Sequence, residues 1–135
     1  VSNYAMKTIL SGDLIEVRTR AVEALKAQGF GILSEIDVQK TLKEKLGLEY
    51  EPYLILGACN PNLARQALDT DRDIGLLLPC NVVLRQLEGE VEVSILDPEA
   101  MFSLTEEATR RQLEPLAQEA RVRLSRALQT LEEAP

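Results

Sequence analysis

The residues best suited to chemistry are Cys59 and Cys80, the two cysteines of the chain, in the matching contexts Ala58-Cys59-Asn60-Pro61 and Pro79-Cys80-Asn81. A thiol beside an amide joins a soft nucleophile to a group that both donates and accepts hydrogen bonds. Asn60-Pro61 also reads as a helix opening, with Asn as cap and Pro as first helical residue. Such a helix N-terminus favours a thiolate or an anionic ligand. If the strand ending at Cys59 and the strand beginning at Cys80 are antiparallel, as neighbours or one strand apart, both thiols fall at one end of the sheet. The functional reading is a small pocket at one sheet edge, with Cys59, Asn60, Cys80 and Asn81 as ligand-binding residues. A variant of it is a thiol redox or sulfur-handling protein that uses the two cysteines. The plainer reading is a pair of structural thiols, since free cysteine is among the most buried residue types. The ligand count is too small to point to a metal, and no catalytic residue and no cofactor is indicated.

Other chemistries lack their parts. The chain has no histidine, which excludes a Ser-His-Asp triad, a His-ligated metal and an imidazole base. It has no Gly-rich phosphate loop, no Gly-x-Ser-x-Gly and no Cys-x-x-Cys. Asp69, Asp71 and Asp73 resemble part of a calcium loop but lack its Gly and distal Glu, so they read as caps and solvated turns. Glu106–Arg110, Glu107–Arg111 and Glu119–Arg123 have i,i+4 spacing and read as helix-surface ion pairs. A net charge of −7 and only five aromatic residues argue against a nucleic-acid partner, which needs a basic face or stacking platforms. No apolar run reaches membrane-spanning length, so no membrane partner is expected. With no apolar leader and too few cysteines for a secreted disulfide scaffold, the expected location is cytoplasmic. Ten arginines against five lysines are compatible with a thermophilic origin.

The elements that must position the cysteines follow from periodicity. At 135 residues the chain fits one domain, 1–135. Residues 3–10 read as a first strand. Asp13-x-x-Glu16 then opens a helix over about 14–28, with Leu14, Val17, Ala21 and Leu25 on one face and Gly29 as its stop. A strand over 31–36 is expected to put Ile32, Ser34 and Ile36 on one face. Asp37 caps a short helix stopped by Gly47. Residues 53–59 form a strand apolar on both faces, which suggests cover on both sides. Helices follow at 61–68 and 74–78. Cys80–Leu87 and Glu90–Leu96 make a hairpin around Glu88-Gly89, with Arg85 opposite Glu92, Leu84 opposite Val93 and Val82 opposite Ile95. Asp97-Pro98 starts a turn through Met101. Ser103-x-x-Glu106 reads as a capping box for a final helix to about Leu131. Pro115 is expected to break or kink that helix near 113–114, because a helix-interior proline costs roughly 3 kcal/mol.

The fold class is therefore α+β: a twisted, mainly antiparallel sheet in the order β-α-β-α-β-α-β-β-α, with the long first and last helices packed on one face. The second apolar face of strand 53–59 exceeds what the short helices cover. A second subunit is the economical cover, which makes a homodimer the expected assembly.

A further set of residues carries a resemblance. Gly29-Phe30-Gly31-Ile32-Leu33, Glu35-Ile36-Asp37-Val38, Leu42-Lys43-Glu44-Lys45-Leu46-Gly47, Tyr53 through Pro61, and Gly75 through Val83 occur in order over nearly the whole chain. In these blocks the sequence resembles the prokaryotic family catalogued as domain of unknown function 302. The resemblance implies an α+β fold similar to TATA-box-binding-protein-like topology and a dimer. It places Cys59, Asn60, Cys80 and Asn81 in signature blocks, and it transfers neither an activity nor DNA binding. The leading expectation is a non-catalytic homodimer that binds a small molecule or a protein partner. The alternatives are the thiol redox or sulfur-handling protein and a purely structural or assembly module.

Overall fold

The computed structural model describes residues 3–133. Along the chain run β1 (Ala5–Ser11), α1 (Leu14–Ala27), β2 (Gly31–Asp37), α2 (Val38–Leu46), β3 (Tyr53–Cys59) and α3 (Pro61–Thr70). A 3-10 turn (Arg72–Leu77), β4 (Cys80–Gln86), β5 (Glu90–Leu96), α4 (Pro98–Phe102) and α5 (Glu107–Glu133) complete it. The strands form one sheet in the order β1-β5-β4-β3-β2, and every neighbouring pair is antiparallel. This is the α+β class expected, with α1 and α5 packed on one face of the sheet.

Local chemistry sets most boundaries. The Asp13 carboxylate accepts from the Glu16 N–H at 2.9 Å and opens α1, and Gly29 follows its end at φ +84°. Asp37 caps α2 through the Lys40 N–H at 3.0 Å, with Gly47 left-handed beyond it. Asp71 accepts from the Asp73 N–H at 3.0 Å to open the 3-10 turn. Asp69 pairs with Arg65 and Arg72. The hairpin has the expected register, Arg85 opposite Glu92, Leu84 opposite Val93 and Val82 opposite Ile95. Val82, Leu84 and Val93 are fully buried.

Three local expectations are corrected. In β2 the register shifts between Ile32 and Ser34. This bulge separates residues expected on one face: Ile32 pairs with Ala58 on the helix side, whereas Ser34 and Ile36 pair with Gly57 and Ile55 on the other. Glu35 thereby faces α1 and receives the Arg18 Nε–H at 2.9 Å. Secondly, Ser103 does not cap the last helix. Its N–H and hydroxyl both donate to carbonyls of α4, closing that helix, and α5 begins at Glu107. Thirdly, α5 runs unbroken past Pro115. Arg111 and Pro115 both lie on the exposed side. The carbonyl left without its donor is therefore on the water side, and the ring needs no room in the core.

Buried side chains form two clusters. The larger joins α1 and α5 to the sheet around Val17, Leu25, Leu56, Leu84, Val93 and Leu124. The smaller gathers Ala67, Ile74, Met101, Phe102, Leu113 and Ala117 beyond the end of the sheet. The opposite face of the sheet is less protected: Ile9 and Ile36 are each 50% exposed, and Ile55 and Val83 are half-buried. Gly57 is the exception there. A side chain on it would strike the Ser34 hydroxyl and the Pro79 ring, which close over its backbone.

Candidate functional site

β3 and β4 are antiparallel neighbours, with Ala58 opposite Cys80 and Gly57 opposite Asn81. Cys59 and Asn60 carry the chain past that pairing into α3. Both cysteines therefore stand at one end of the sheet, at two inner strands rather than at a sheet edge. Asn60 is the buried polar residue of the described chain, 8% exposed. Its Oδ1 accepts from the Leu63 N–H at 3.1 Å, which caps α3.

Between this sheet end and α3, α4 and α5 lies an apolar cavity of about 50 Å³. Phe30, Leu63, Met101 and Leu124 line it together with Cys59 and Cys80, and Asn60 is its polar wall. Its walls come from both buried clusters, so it occupies the seam between them. The cause is side-chain size. Ala64 and Ala67 of α3 and Ala120 of α5 are among its lining residues, and side chains this short do not fill it.

Asn81 is elsewhere. Successive residues of a strand point to opposite faces; Cys80 is buried and Asn81 exposed. Asn81 borders a groove of about 550 Å³ on the other face of the sheet, near Tyr53 and Arg85. The structure thus groups Cys59, Asn60 and Cys80, and separates Asn81 from them. That groove carries a row of charges that periodicity only partly indicated. Glu92 lies 3.7 Å from Lys7 and 3.4 Å from Arg85, and Arg85 lies 3.4 Å from Glu51. The last contact is an ion pair without hydrogen-bond alignment, and the buried Arg85 Nε has no acceptor among the described residues.

Both thiols are free. Burial pushes the Cys59 thiol above its ordinary range. Burial pushes Cys80 up to about 12, with Asp97 and Cys59 adding to the effect. The Cys80 sulfur lies 3.6 Å from the Leu96 carbonyl oxygen, toward which its S–H donates. A nucleophilic thiol needs its pKa lowered, and here the surroundings act the other way. Met101 and Phe102, which line the cavity, were not legible as site residues. Nothing in the spacing shows that α4 and α5 reach the end of β3.

A single antiparallel sheet with both long helices on one face, an apolar cavity at its end and a groove across its open side defines a two-layer α+β domain. No cluster of potential metal ligands occurs among its described residues. The chain belongs to the family described as Domain of unknown function DUF302, whose family model matches residues 6–131. It is similar to a solved structure titled "Crystal structure of uncharacterized conserved protein DUF302 from Bacillus stearothermophilus", with 28% sequence identity and a TM-score of 0.84. The match covers 96% of this chain and 99% of that one. No curated protein matches the chain. No helix among the described residues is long and apolar enough to cross a membrane.

Proposed function

We propose that this chain is a non-catalytic binding protein that takes a small molecule into the cavity at the Cys59–Asn60–Cys80 end of the sheet. The observation that supports this reading is the cavity itself, an apolar space with one buried polar residue in its wall, the usual make-up of a ligand site. The raised thiol pKa values favour it over the redox alternative, since protonated cysteines behave as small polarizable wall residues. The test is methyl NMR under xenon pressure, because a dry apolar cavity takes up xenon. Shifts confined to Leu63, Leu124 and Met101, and abolished by Ala120→Leu, are the expected result. Shifts absent or spread evenly over the surface overturn the reading.

A second observation favours assembly as a homodimer through the open sheet face. On a chain of net charge −7, the groove across that face is lined by two cations, Lys7 and Arg85, interleaved with two anions, Glu51 and Glu92. A two-fold contact must be self-complementary, and a row balanced in this way is, with Ile55 and Val83 supplying apolar area. A second copy would also offer an acceptor to the Arg85 Nε. Sedimentation equilibrium at micromolar concentration is expected to give twice the 15.0 kDa chain mass and to fall to one chain mass in Val83→Lys. A wild-type monomer ends this reading.

A further inference from the structure

We infer that the groove between the 3-10 turn and α4 receives the α2 end of a second copy of this chain, each copy seating the other in the same way. This rests on the homodimer reading above and adds which surfaces meet beyond the sheet. Three observations carry it.

The first is an exposed apolar patch with an acidic rim. Leu76 of the 3-10 turn is 87% exposed and Leu104, just after α4, is 77% exposed. Both line one groove of about 530 Å³. Beside the same two leucines, Asp71, Asp73 and Glu106 line an adjoining groove that has no lysine or arginine in its walls. Apolar area open to water and rimmed by polar groups marks an interaction surface, and the acids call for a cationic occupant.

The second is that the chain itself carries the complement. α2 buries none of its residues and holds Lys40, Lys43 and Lys45 against one acid, Glu44. Lys43 pairs with Glu49, and Lys40 and Lys45 stand exposed. Leu46 at its end is 65% exposed and Leu48 beyond it 51%. Leucines flanked by ammonium groups suit leucines flanked by carboxylates. Two such surfaces on one chain make a second copy the occupant.

The third is where the two surfaces stand. α2 leaves β2 at Asp37, which pairs with Leu54 at the Tyr53–Arg85 end of the sheet. The 3-10 turn leads into β4 at Cys80, opposite Ala58 at the other end. The groove across the open face runs between them. Tyr50, whose carbonyl accepts from Gln39 of α2 at 2.9 Å, lines it. Tyr4, Asn81 and Leu96 line both it and the Leu76–Leu104 groove. A two-fold axis lying across the strands turns one copy end for end on the other and brings each α2 to the other copy's acidic groove. A two-fold along the strands stacks lysines on lysines and acids on acids, which repel.

The test is sedimentation equilibrium of the full chain at micromolar concentration with two charge-reversed variants. One carries Lys40→Glu and Lys45→Glu. The other carries Asp73→Lys and Glu106→Lys, which spare the Asp71 cap. Each alone is expected to dimerise about tenfold more weakly than wild type, since every substitution acts twice in a two-fold contact. Mixed one to one they are expected to regain the dimer, because the acidic α2 then meets the basic groove and the basic α2 the acidic one. Lys26→Glu, a charge reversal on α1, is expected to leave dimerisation unchanged, and Leu76→Ser to weaken it with no change of charge. Circular dichroism matching wild type is the control for folding; where a reversed variant fails it, Leu76→Ser decides. A dimer that neither the reversed variants nor Leu76→Ser weaken, or one that folded variants do not regain on mixing, overturns this seating, while its loss in Val83→Lys keeps the open-face reading. A wild-type monomer overturns both.

Discussion

Cys80 lies fully inside the sheet end with its sulfur turned to the Leu96 carbonyl. That placement has a consequence for stability against pH. In the unfolded chain the thiol ionises near 9.0, whereas in the fold it holds its proton to about 12. Below pH 9 both states are protonated and the burial is fully compatible with folding. Between pH 9 and 12 the unfolded state releases the proton and the folded state does not, so stability falls as pH rises. The loss is of the order of a few kcal/mol across that window. Urea denaturation of wild type and Cys80→Ala at pH 8 and pH 11 is expected to show a steeper decline in wild type. An identical decline in both would mean that Cys80 is not held as described. Cys59, half-exposed and with a smaller upward push, is expected to be alkylated before Cys80, slowly at pH 7 and faster above pH 9, as read by mass spectrometry.

Two elements carry tests of how the chain is held. Gln86 closes the hairpin against the β1–α1 turn. Its Oε1 accepts from the Leu14 N–H at 2.9 Å, and its Nε2 donates to the carbonyls of Glu90 at 2.8 Å and Gly12 at 3.3 Å. Truncation to Ala leaves the Leu14 N–H and those carbonyls short of a partner, so Gln86→Ala is expected to cost roughly 1–3 kcal/mol in urea denaturation. The second element is α5. Because the helix passes Pro115 without a break, the missing N–H is a defect in a helix that forms anyway. Pro115→Ala restores the bond to the Arg111 carbonyl and is expected to stabilise the chain, by up to about 3 kcal/mol. A loss of stability would show that the ring is packed rather than tolerated.

On the scale of the whole molecule the two buried clusters are unequal. The larger is held by two long helices across five strands, the smaller by short elements, α3, the 3-10 turn and α4, against the first half of α5. Regions with fewer buried apolar contacts open at lower free energy. Hydrogen exchange is therefore expected to protect the amides of Leu84 and Val93 at the global unfolding level and those of Ile74, Met101 and Phe102 less. The cavity lies at the boundary between these two regions, where a ligand would tie them together. Uniform protection across both clusters would mean that the seam does not divide the molecule.

Some of this was legible from residues alone. The caps at Asp13, Asp37, Asn60 and Asp97, the hairpin register and the helix faces depend on neighbours a few positions away, and local chemistry decides them. The sequence also marked Cys59, Asn60 and Cys80, because strand ends and a helix cap are local signals. What it did not show lies in contacts far apart in the chain. The bulge after Ile32 belongs to the pairing of β2 with β3, and the contact of Glu35 with Arg18 follows from it. The continuity of α5 at Pro115 depends on which side of the helix meets the core. The separation of Asn81 from the other three residues follows from strand alternation once the core face is known. The cavity is lined by Ala64 and Ala67 on α3 and by Ala120 on α5, more than fifty residues further along. Short side chains at two distant places leave a space only when the tertiary fold brings them together, and no local pattern encodes that.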